Sequence, residues 1–170
     1  VDHVVQGQGI LANGPIFPGT WAYYEEIRQV EYDPQAAAAL LKKEGYLFVT
    51  EGAATLSKDE TSLTFSLLHP NTPRHLTIAE RIQEDWAKIG VSVNLESMPY
   101  DELVTDRLRD RMFEAVLVDL NMSRSPDPDP YPFWDQAQAS AEGQNYSQWD
   151  NRMASEYMEQ ARVTVNLELR

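Results

Sequence analysis

The sequence contains no cysteine among its 170 residues. This absence excludes a disulfide scaffold, a zinc site with thiolate ligands and a cysteine nucleophile, while it leaves the cellular compartment open. No apolar run approaches the ~18 residues that a membrane-spanning helix needs, and no signal-peptide pattern opens the chain. The chain begins with Val1 rather than Met, and its last stretch, ARVTVNLELR, predicts a helix that continues. We therefore expect a piece of a longer protein.

Basic residues are also scarce, because 14 Lys and Arg stand against 27 Asp and Glu and give a formal net charge of −13. Such a field repels phosphate backbones and anionic lipid, so neither nucleic acid nor a membrane surface is an expected partner. The acidic residues are spread along the chain, which favours solubility. With 42% hydrophobic and 24% charged residues, the composition is that of a globular protein with a real core.

The common motifs of enzymes and metal sites are missing. The sequence has no glycine-rich phosphate loop, no nucleophile elbow and no zinc motif. Its three histidines, His3, His69 and His75, do not stand at metal-ligand spacing. The sequence therefore predicts no catalytic residue, no metal site and no cofactor.

Hydrophobic periodicity and capping signals predict strands that alternate with helices. This order favours an α/β fold in which helices flank a mixed β-sheet. The predicted elements are a helix over 34–44, a β-hairpin within 46–70, a helix over 74–89, a strand over 91–97, a helix over 99–110, a strand over 113–120, a short helix over 133–141 and a final helix capped by Asp150 or Asn151.

The stretch from Phe113 to Trp134 is the predicted centre of the protein. Phe113–Leu120 is the most apolar of the predicted strands, which favours a central place in the sheet, and it leads into the loop sequences SRSP and PDPDP. A buried strand that ends in a rigid, irregular loop is where α/β proteins commonly bind ligands. The preceding DRLRDR segment alternates in charge and predicts a solvated helix face.

Two carboxylates in this loop, Asp127 and Asp129, support an alternative hypothesis. Paired carboxylates act as acid, base or nucleophile when their surroundings separate their pKa values, so a carbohydrate-active hydrolase stays open, as does an interaction domain without a small ligand. The prolines of PDPDP impose extended backbone, which favours turn capping over catalysis. The segment lacks the central Gly and the closing Glu of a calcium loop.

Five motifs occur in order along nearly the whole chain: VDHVVQGQGILANGPIFPGTWAY, YDPQAAAALLKKEGY, ERIQEDWAKIGVSVNLESMPYDEL, RMFEAVLVDLNMSRSPDPDPYPFW and GQNYSQWDN. In this order they resemble the family 5 solute-binding proteins of ABC importers, the group that serves dipeptides, oligopeptides and nickel. The resemblance implies one lobe of a class II periplasmic-binding-protein fold. Residues 1–170 would then be a single domain, the second and C-terminal lobe of a two-lobed protein, truncated at both ends.

The resemblance also implies a transport function. A protein of this family traps a peptide or similar small solute between two lobes and presents it to an ABC permease in the membrane. Differential contacts in the closed state, rather than chemistry, are then the mechanism. The expected partners are the ligand, the first lobe of the same chain and the permease. The protein is expected to be a monomer in the periplasm or outside the cell, where a lipid anchor is one way of holding it.

The resemblance implies that the strand and loop over Phe113–Tyr131 lie at the hinge side of the ligand cleft. Peptide-binding members carry an aspartate a few residues before the DPD-like segment, where it pairs with the α-amino group of the ligand. This sequence has Arg124 near that place. A guanidinium suits a carboxylate or another anionic group, so a free peptide N-terminus is disfavoured as the ligand.

The expected ligand contacts are residues of the loop after Leu120, residues of the NYSQWDN connection and one aromatic residue near the N-terminus. They are Met122, Ser123, Arg124, Asn145, Tyr146 and Trp21. Other residues of the same loop are expected to shape it rather than to touch the ligand. They are Asp127, Asp129 and Trp134.

Overall fold

The computed structural model describes residues 7–50, 52–122 and 127–170. These residues form two compact units. One unit contains Val30–Thr105 and Phe113–Val118, and the other contains Asp106–Met112 together with the described residues up to Gln29 and from Asp119 onwards. Within the described ranges, no helix is long and apolar enough to cross a membrane.

Helices and strands alternate along the described chain, which confirms the predicted α/β class. They are α1 (Pro34–Lys43), β1 (Ser57–Lys58), β2 (Thr61–Ser62), β3 (Thr64–Pro70), α2 (Pro73–Ala87), β4 (Ser92–Met98), α3 (Tyr100–Glu102), a π-helix (Leu103–Leu108), β5 (Ala115–Val116), α4 (Tyr131–Trp134), a 3-10 helix (Gln136–Ala139) and α5 (Arg152–Val163).

Helix α1 begins and ends at the residues that the sequence indicated. The Asp33 side chain accepts a hydrogen bond from the backbone N–H of Ala36 at 2.9 Å, and Pro34 occupies the first turn, where its missing N–H costs nothing. Gly45 follows the helix with φ +92°, a conformation that glycine adopts freely. Local signals alone therefore fix this helix to within one residue of the prediction.

The predicted hairpin is confirmed only at its tip. Strands β1 and β2 pair antiparallel, and Asp59 and Glu60 between them have φ values of 49° and 65°. Two positive φ values are typical of a tight hairpin turn whose twist matches that of the strands. The rest of the predicted second arm is β3, which leaves the hairpin and joins a separate parallel sheet.

This parallel sheet has the order β4-β3-β5. Strand β3 is therefore the central strand, and the prediction that Phe113–Leu120 would be central is wrong for the described sheet. Only Ala115–Val116 of that stretch is a strand, and it pairs with Leu67 and Leu68 of β3 at one edge. Apolarity is a poor guide here, because β3 owes its place to two parallel partners that lie far away in the sequence.

Helix α2 packs on the sheet through a small core of Leu67, Ala79 and Val93. Gln83 of the helix also reaches the sheet, because its side-chain amide donates to the carbonyl oxygen of Val93 at 2.7 Å. Trp86 of the helix packs edge-on against the ring of Phe65 on β3, with ring centroids 5.4 Å apart. The helix and the parallel strands β3 and β4 on either side of it in the sequence thus form a β-α-β unit.

The predicted helix over 99–110 takes a different form. Tyr100–Glu102 is α-helical, and Leu103–Leu108 is a π-helix. The two end residues of the π-helix, Leu103 and Leu108, are both buried, with exposures of 0% and 2%. The hydrogen bonds of a π-helix join residues five apart rather than four, so the winding over these six residues is wider than the α-helix that the periodicity predicted.

The predicted helix over 133–141 is divided at Asp135. Helix α4 ends there, and the Asp135 carboxylate accepts from the N–H of Ala137 at 2.8 Å and so caps the 3-10 helix. The final helix, α5, begins as predicted. Of the two proposed caps it uses Asn151, whose side chain accepts from the N–H of Ala154 at 3.0 Å.

Candidate functional site

An open cleft of about 450 Å³ lies within the unit that contains the PDPDP loop. One part of its lining comes from the loop itself: Asn121, Met122, Asp127 and Asp129. The other part comes from α4 and a later connection: Pro132, Phe133 and Gln144. Apolar side chains with a few fixed polar groups are the usual composition of a small-molecule or peptide pocket.

Met122 is the predicted contact that the structure brings to this cleft. It is half-buried and lies on the loop that follows β5. Ser123 and Arg124, which were also predicted, lie outside the described residues. Their role in ligand binding stays a prediction.

Both aspartates of PDPDP are held by arginines. Asp127 forms an ion pair with Arg170, and the Asp129 carboxylate lies 3.3 Å from Nε of Arg162. Asp129 also accepts a hydrogen bond from the N–H of Tyr131 at 3.1 Å, and the guanidinium carbon of Arg162 stands 4.2 Å from the centre of the Tyr131 ring. These contacts hold both carboxylates in place, and the expectation that they shape the loop rather than touch the ligand stays a prediction.

Trp21 lies at a second, smaller cleft of about 240 Å³ in the same unit. Asp129 and Arg170 line this cleft too, and the guanidinium carbon of Arg170 is 5.6 Å from the centre of the Trp21 ring. The ring is 46% exposed. Trp21 therefore contacts the arginine that pairs with Asp127 of the PDPDP loop. Its contact with ligand stays a prediction.

Asn145 is fully buried, with an exposure of 0%. Its Nδ2 donates to the carbonyl oxygens of Asp135 at 3.1 Å and Trp149 at 2.8 Å. Its Oδ1 accepts from the Ser147 hydroxyl at 2.9 Å and from the Trp149 N–H at 3.1 Å. The whole amide is thus engaged in organising its own turn, and no surface of it faces the cleft in this arrangement.

Tyr146 is half-buried and packs against Arg111, whose guanidinium carbon lies 5.1 Å from the ring centre. The same guanidinium donates to the carbonyl oxygens of Ser140 at 2.9 Å and Gly143 at 3.0 Å. Arg111 is therefore not the solvated charge that the DRLRDR pattern predicted. These turn partners stand about thirty positions away, so no local signal could have indicated its contact with the turn.

Gln144 is a cleft residue that the sequence analysis missed. It lies between the buried Gly143 and the buried Asn145, is itself exposed, and lines the cleft together with Met122. The predicted contacts Asn145 and Tyr146 follow it directly in the same connection, and their contact with ligand stays a prediction.

Metal-binding clusters are not found in the described part of the chain, where no three His, Asp or Glu side chains converge on one point. Elsewhere in the described residues, the Glu26 carboxylate raises the pKa of the Tyr24 phenol, and the Lys88 ammonium lowers the pKa of the Asp85 carboxyl. The lining of the cleft thus consists of apolar side chains, amides and carboxylates that pair with arginines.

Known structures share this fold. An oligopeptide-binding protein, AppA, from Bacillus subtilis, solved with a nonapeptide, superposes with a TM-score of 0.83 at 25% identity; the match covers 99% of this chain and 33% of that one. The fold is therefore that of one part of a substrate-binding protein.

Sequence comparison then gives the family. The model of the bacterial extracellular solute-binding proteins, family 5 (middle region), matches residues 1–143. The chain belongs to this family, whose members are binding proteins that act outside the cytoplasm.

Two relatives show how much of a family protein is present. The dipeptide-binding protein of Escherichia coli (strain K12) is 29% identical over 161 residues, which are 95% of this chain and 28% of that protein. The di/tripeptide-binding protein 1 of Pseudomonas aeruginosa (strain UCBPP-PA14) is 30% identical over 166 residues, or 98% of this chain and 29% of that protein. The chain thus spans less than a third of the length of these relatives.

Proposed function

We propose that this chain is the ligand-binding second lobe, or most of it, of an ABC-importer substrate-binding protein. The whole protein captures a peptide or a similar small solute between its two lobes and delivers it to a membrane permease. It works as a monomer outside the cytoplasmic membrane, either free in the periplasm or held at the cell surface by a lipid anchor. The first lobe and the permease are its partners.

The observation that carries this proposal is the cleft on the loop after β5. Met122 and Phe133 supply apolar surface there, and Gln144 supplies an amide. The two carboxylates of the wall are tied to arginines. A wall of mixed apolar and polar groups whose carboxylates are already held by ion pairs suits a solute that must be bound, closed upon and released, because little binding energy is spent on ordering those groups.

The ligand class follows from the relatives and from one sequence departure. Both named relatives are described as binding dipeptides or tripeptides. Arg124 stands between Met122 and Asp127, two residues that line the cleft. We propose that its guanidinium contacts a carboxylate or another anionic group of the ligand.

The hydrolase alternative is disfavoured by the ion pairs. A glycosidase needs two carboxyl groups that act in different protonation states on either side of a bond. Asp127 and Asp129 each pair with an arginine instead. This supports a binding function without catalysis.

Thermal unfolding of the full-length protein with a panel of di- and tripeptides, N-acetylated peptides and oligosaccharides tests the proposal. A ligand present at a hundred times its Kd stabilises the folded state by about 2.7 kcal/mol, so a matching peptide raises Tm by several degrees. Arg124→Ala reduces this rise for ligands with a free carboxylate. Arg152→Ala is the matched control, because Arg152 is an exposed arginine that pairs only with Glu156 among the described contacts. Hydrolysis of an oligosaccharide without any peptide-dependent rise contradicts the proposal.

A further inference from the structure

The turn between Gln138 and Trp149 presents a single side chain to the cleft. Gly143 and Asn145 are buried, while Gln144 between them is exposed and lines the cleft. An exposed residue held between two buried neighbours has a backbone position fixed by packing on both sides. The Cα position of Gln144 in the cleft wall is therefore defined.

Backbone geometry makes this turn rigid. The N–H of Gly143 donates to the carbonyl oxygen of Ser140 at 3.0 Å, and the N–H of Asn145 donates to that of Gln138 at 3.0 Å. A Cβ atom placed on Gly143 would stand 2.1 Å from the Gln138 carbonyl oxygen. Only glycine fits there, so the backbone of Gly143 packs directly against the backbone of Gln138, next to Gln144.

Arg111 holds the same turn from outside. Its Nη2 donates to the carbonyl oxygens of Ser140 at 2.9 Å, Gly143 at 3.0 Å and Asn145 at 3.4 Å. One guanidinium therefore binds the carbonyl groups on both sides of Gln144. The planar fork of arginine makes several such bonds at once, which the ammonium of a lysine does not reproduce.

The conformation of Arg111 is itself unusual. Its φ is +56°, in the left-handed region that residues other than glycine seldom adopt. Such a backbone persists where the surrounding contacts over-determine it. Here those contacts are the turn carbonyls and the Tyr146 ring.

We infer that Arg111 is a positioning residue that sets Gln144 in the cleft wall, and that Gln144 contacts a peptide unit of the ligand. A primary amide offers donors and an acceptor together, which complements the N–H and C=O of a peptide group. This inference rests on the proposed peptide-binding function. It adds a specificity-determining contact and the residue that orients it.

Calorimetry on the full-length protein tests the contact. The probes are Ala-Ala-Ala and its N-acetylated form, each compared with depsipeptides in which one ester oxygen replaces one amide N–H. Wild-type protein is expected to prefer a peptide over one of its depsipeptides by about tenfold in Kd, the loss expected for one hydrogen bond in a dry site. Gln144→Ala is expected to raise Kd for the peptide by a similar factor and to abolish the preference.

A double-mutant cycle tests the positioning role. If Arg111 acts through Gln144, Arg111→Met raises Kd about tenfold alone and leaves Kd unchanged in the Gln144→Ala background. A further loss in that background, equal to the loss in wild type, shows a merely structural role and overturns the inference. Arg111→Lys, which keeps the charge and removes the fork, runs the same cycle if Arg111→Met does not fold.

Arg109→Met is the matched control. Arg109 also reaches the turn, at Glu142, but through an exposed ion pair at 3.0 Å that is not beside Gln144. It is expected to leave Kd within threefold. Unchanged affinity in Gln144→Ala overturns this inference alone, and a wild-type protein that binds neither these probes nor any other peptide overturns the proposed function with it.

Discussion

Removing the Asn145 amide is expected to loosen the turn that forms one side of the cleft. The amide makes four hydrogen bonds in a fully buried site. At about 1 kcal/mol net for each bond, Asn145→Ala costs about 4 kcal/mol, a large share of the 5–15 kcal/mol that holds a typical domain together. The Trp149 N–H and two carbonyl groups lose a partner, which keeps the cost at the upper end of the range.

Native-state hydrogen exchange of the full-length protein measures this loss where it occurs. The N–H groups of Gly143 and Asn145 are bonded within the turn and act as local probes. A loss of about 4 kcal/mol accelerates their exchange by roughly a thousandfold. Gln144→Ala, an exposed neighbour, is the control and is expected to stay within about 0.5 kcal/mol. Acceleration of less than about fivefold in Asn145→Ala would refute the hydrogen-bond account of this turn.

The isosteric change Asn145→Asp separates hydrogen bonding from packing. It places a carboxyl oxygen where Nδ2 now donates to two carbonyl oxygens, and burial together with those carbonyls raises the pKa of the introduced carboxyl above its unfolded value. The protonated form has one O–H and can donate to one of the two carbonyl oxygens, so stability is partly retained at low pH, and this part is lost as pH rises through the raised folded-state pKa. Urea unfolding at pH 4 and pH 8 checks this, and an equal loss relative to wild type at both values would contradict it.

Two further predictions concern backbone space and acid sensitivity. Gly143→Ala is expected to lower the free energy of unfolding by more than about 3 kcal/mol in urea, because the new Cβ meets the Gln138 carbonyl oxygen. Gly52→Ala is the control, since Gly52 has φ +85° but open space around it, and it costs only about 1 kcal/mol of backbone strain. Equal costs in the two variants would count against the clash. The hydrogen bond from Lys88 lowers the pKa of Asp85, so this pair contributes stability above the unfolded pKa of Asp and loses it as pH falls through the folded pKa. Asp85→Asn should therefore be slightly less stable than wild type at pH 7 and equal to it near pH 2.5. A constant difference in stability across that range would contradict this.

Local chemistry made much of the fold predictable. Asp33 and Gly45 define α1 because capping and left-handed termination depend only on neighbouring residues. The order of strands in the sheet is not local. Strand β3 is central because β4 and β5 pair with it from later parts of the chain, and nothing in its own seven residues distinguishes it from an edge strand.

The site was predictable in part for the same reason. The GQNYSQW motif contains Gln144, which lines the cleft, but which side chain of the motif faces the cleft depends on how the turn winds. That winding is fixed by Arg111, about thirty positions earlier in the sequence, and by the exclusion of any side chain at Gly143. Long-range contacts of this kind leave no periodic pattern, so Gln144 could be identified only from the structure.

Calorimetric titration of peptides into the full-length protein, compared with its Met122→Arg variant, tests whether a peptide binds in the cleft beside Met122. Met122 lines the cleft, whereas Met153 is 61% exposed on α5 and provides the matched control, Met153→Arg. The account predicts one peptide bound per protein, with Kd raised at least tenfold by Met122→Arg and within threefold of wild type in the control. Peptide binding that Met122→Arg leaves unchanged, or no binding of any peptide by wild type, would contradict it.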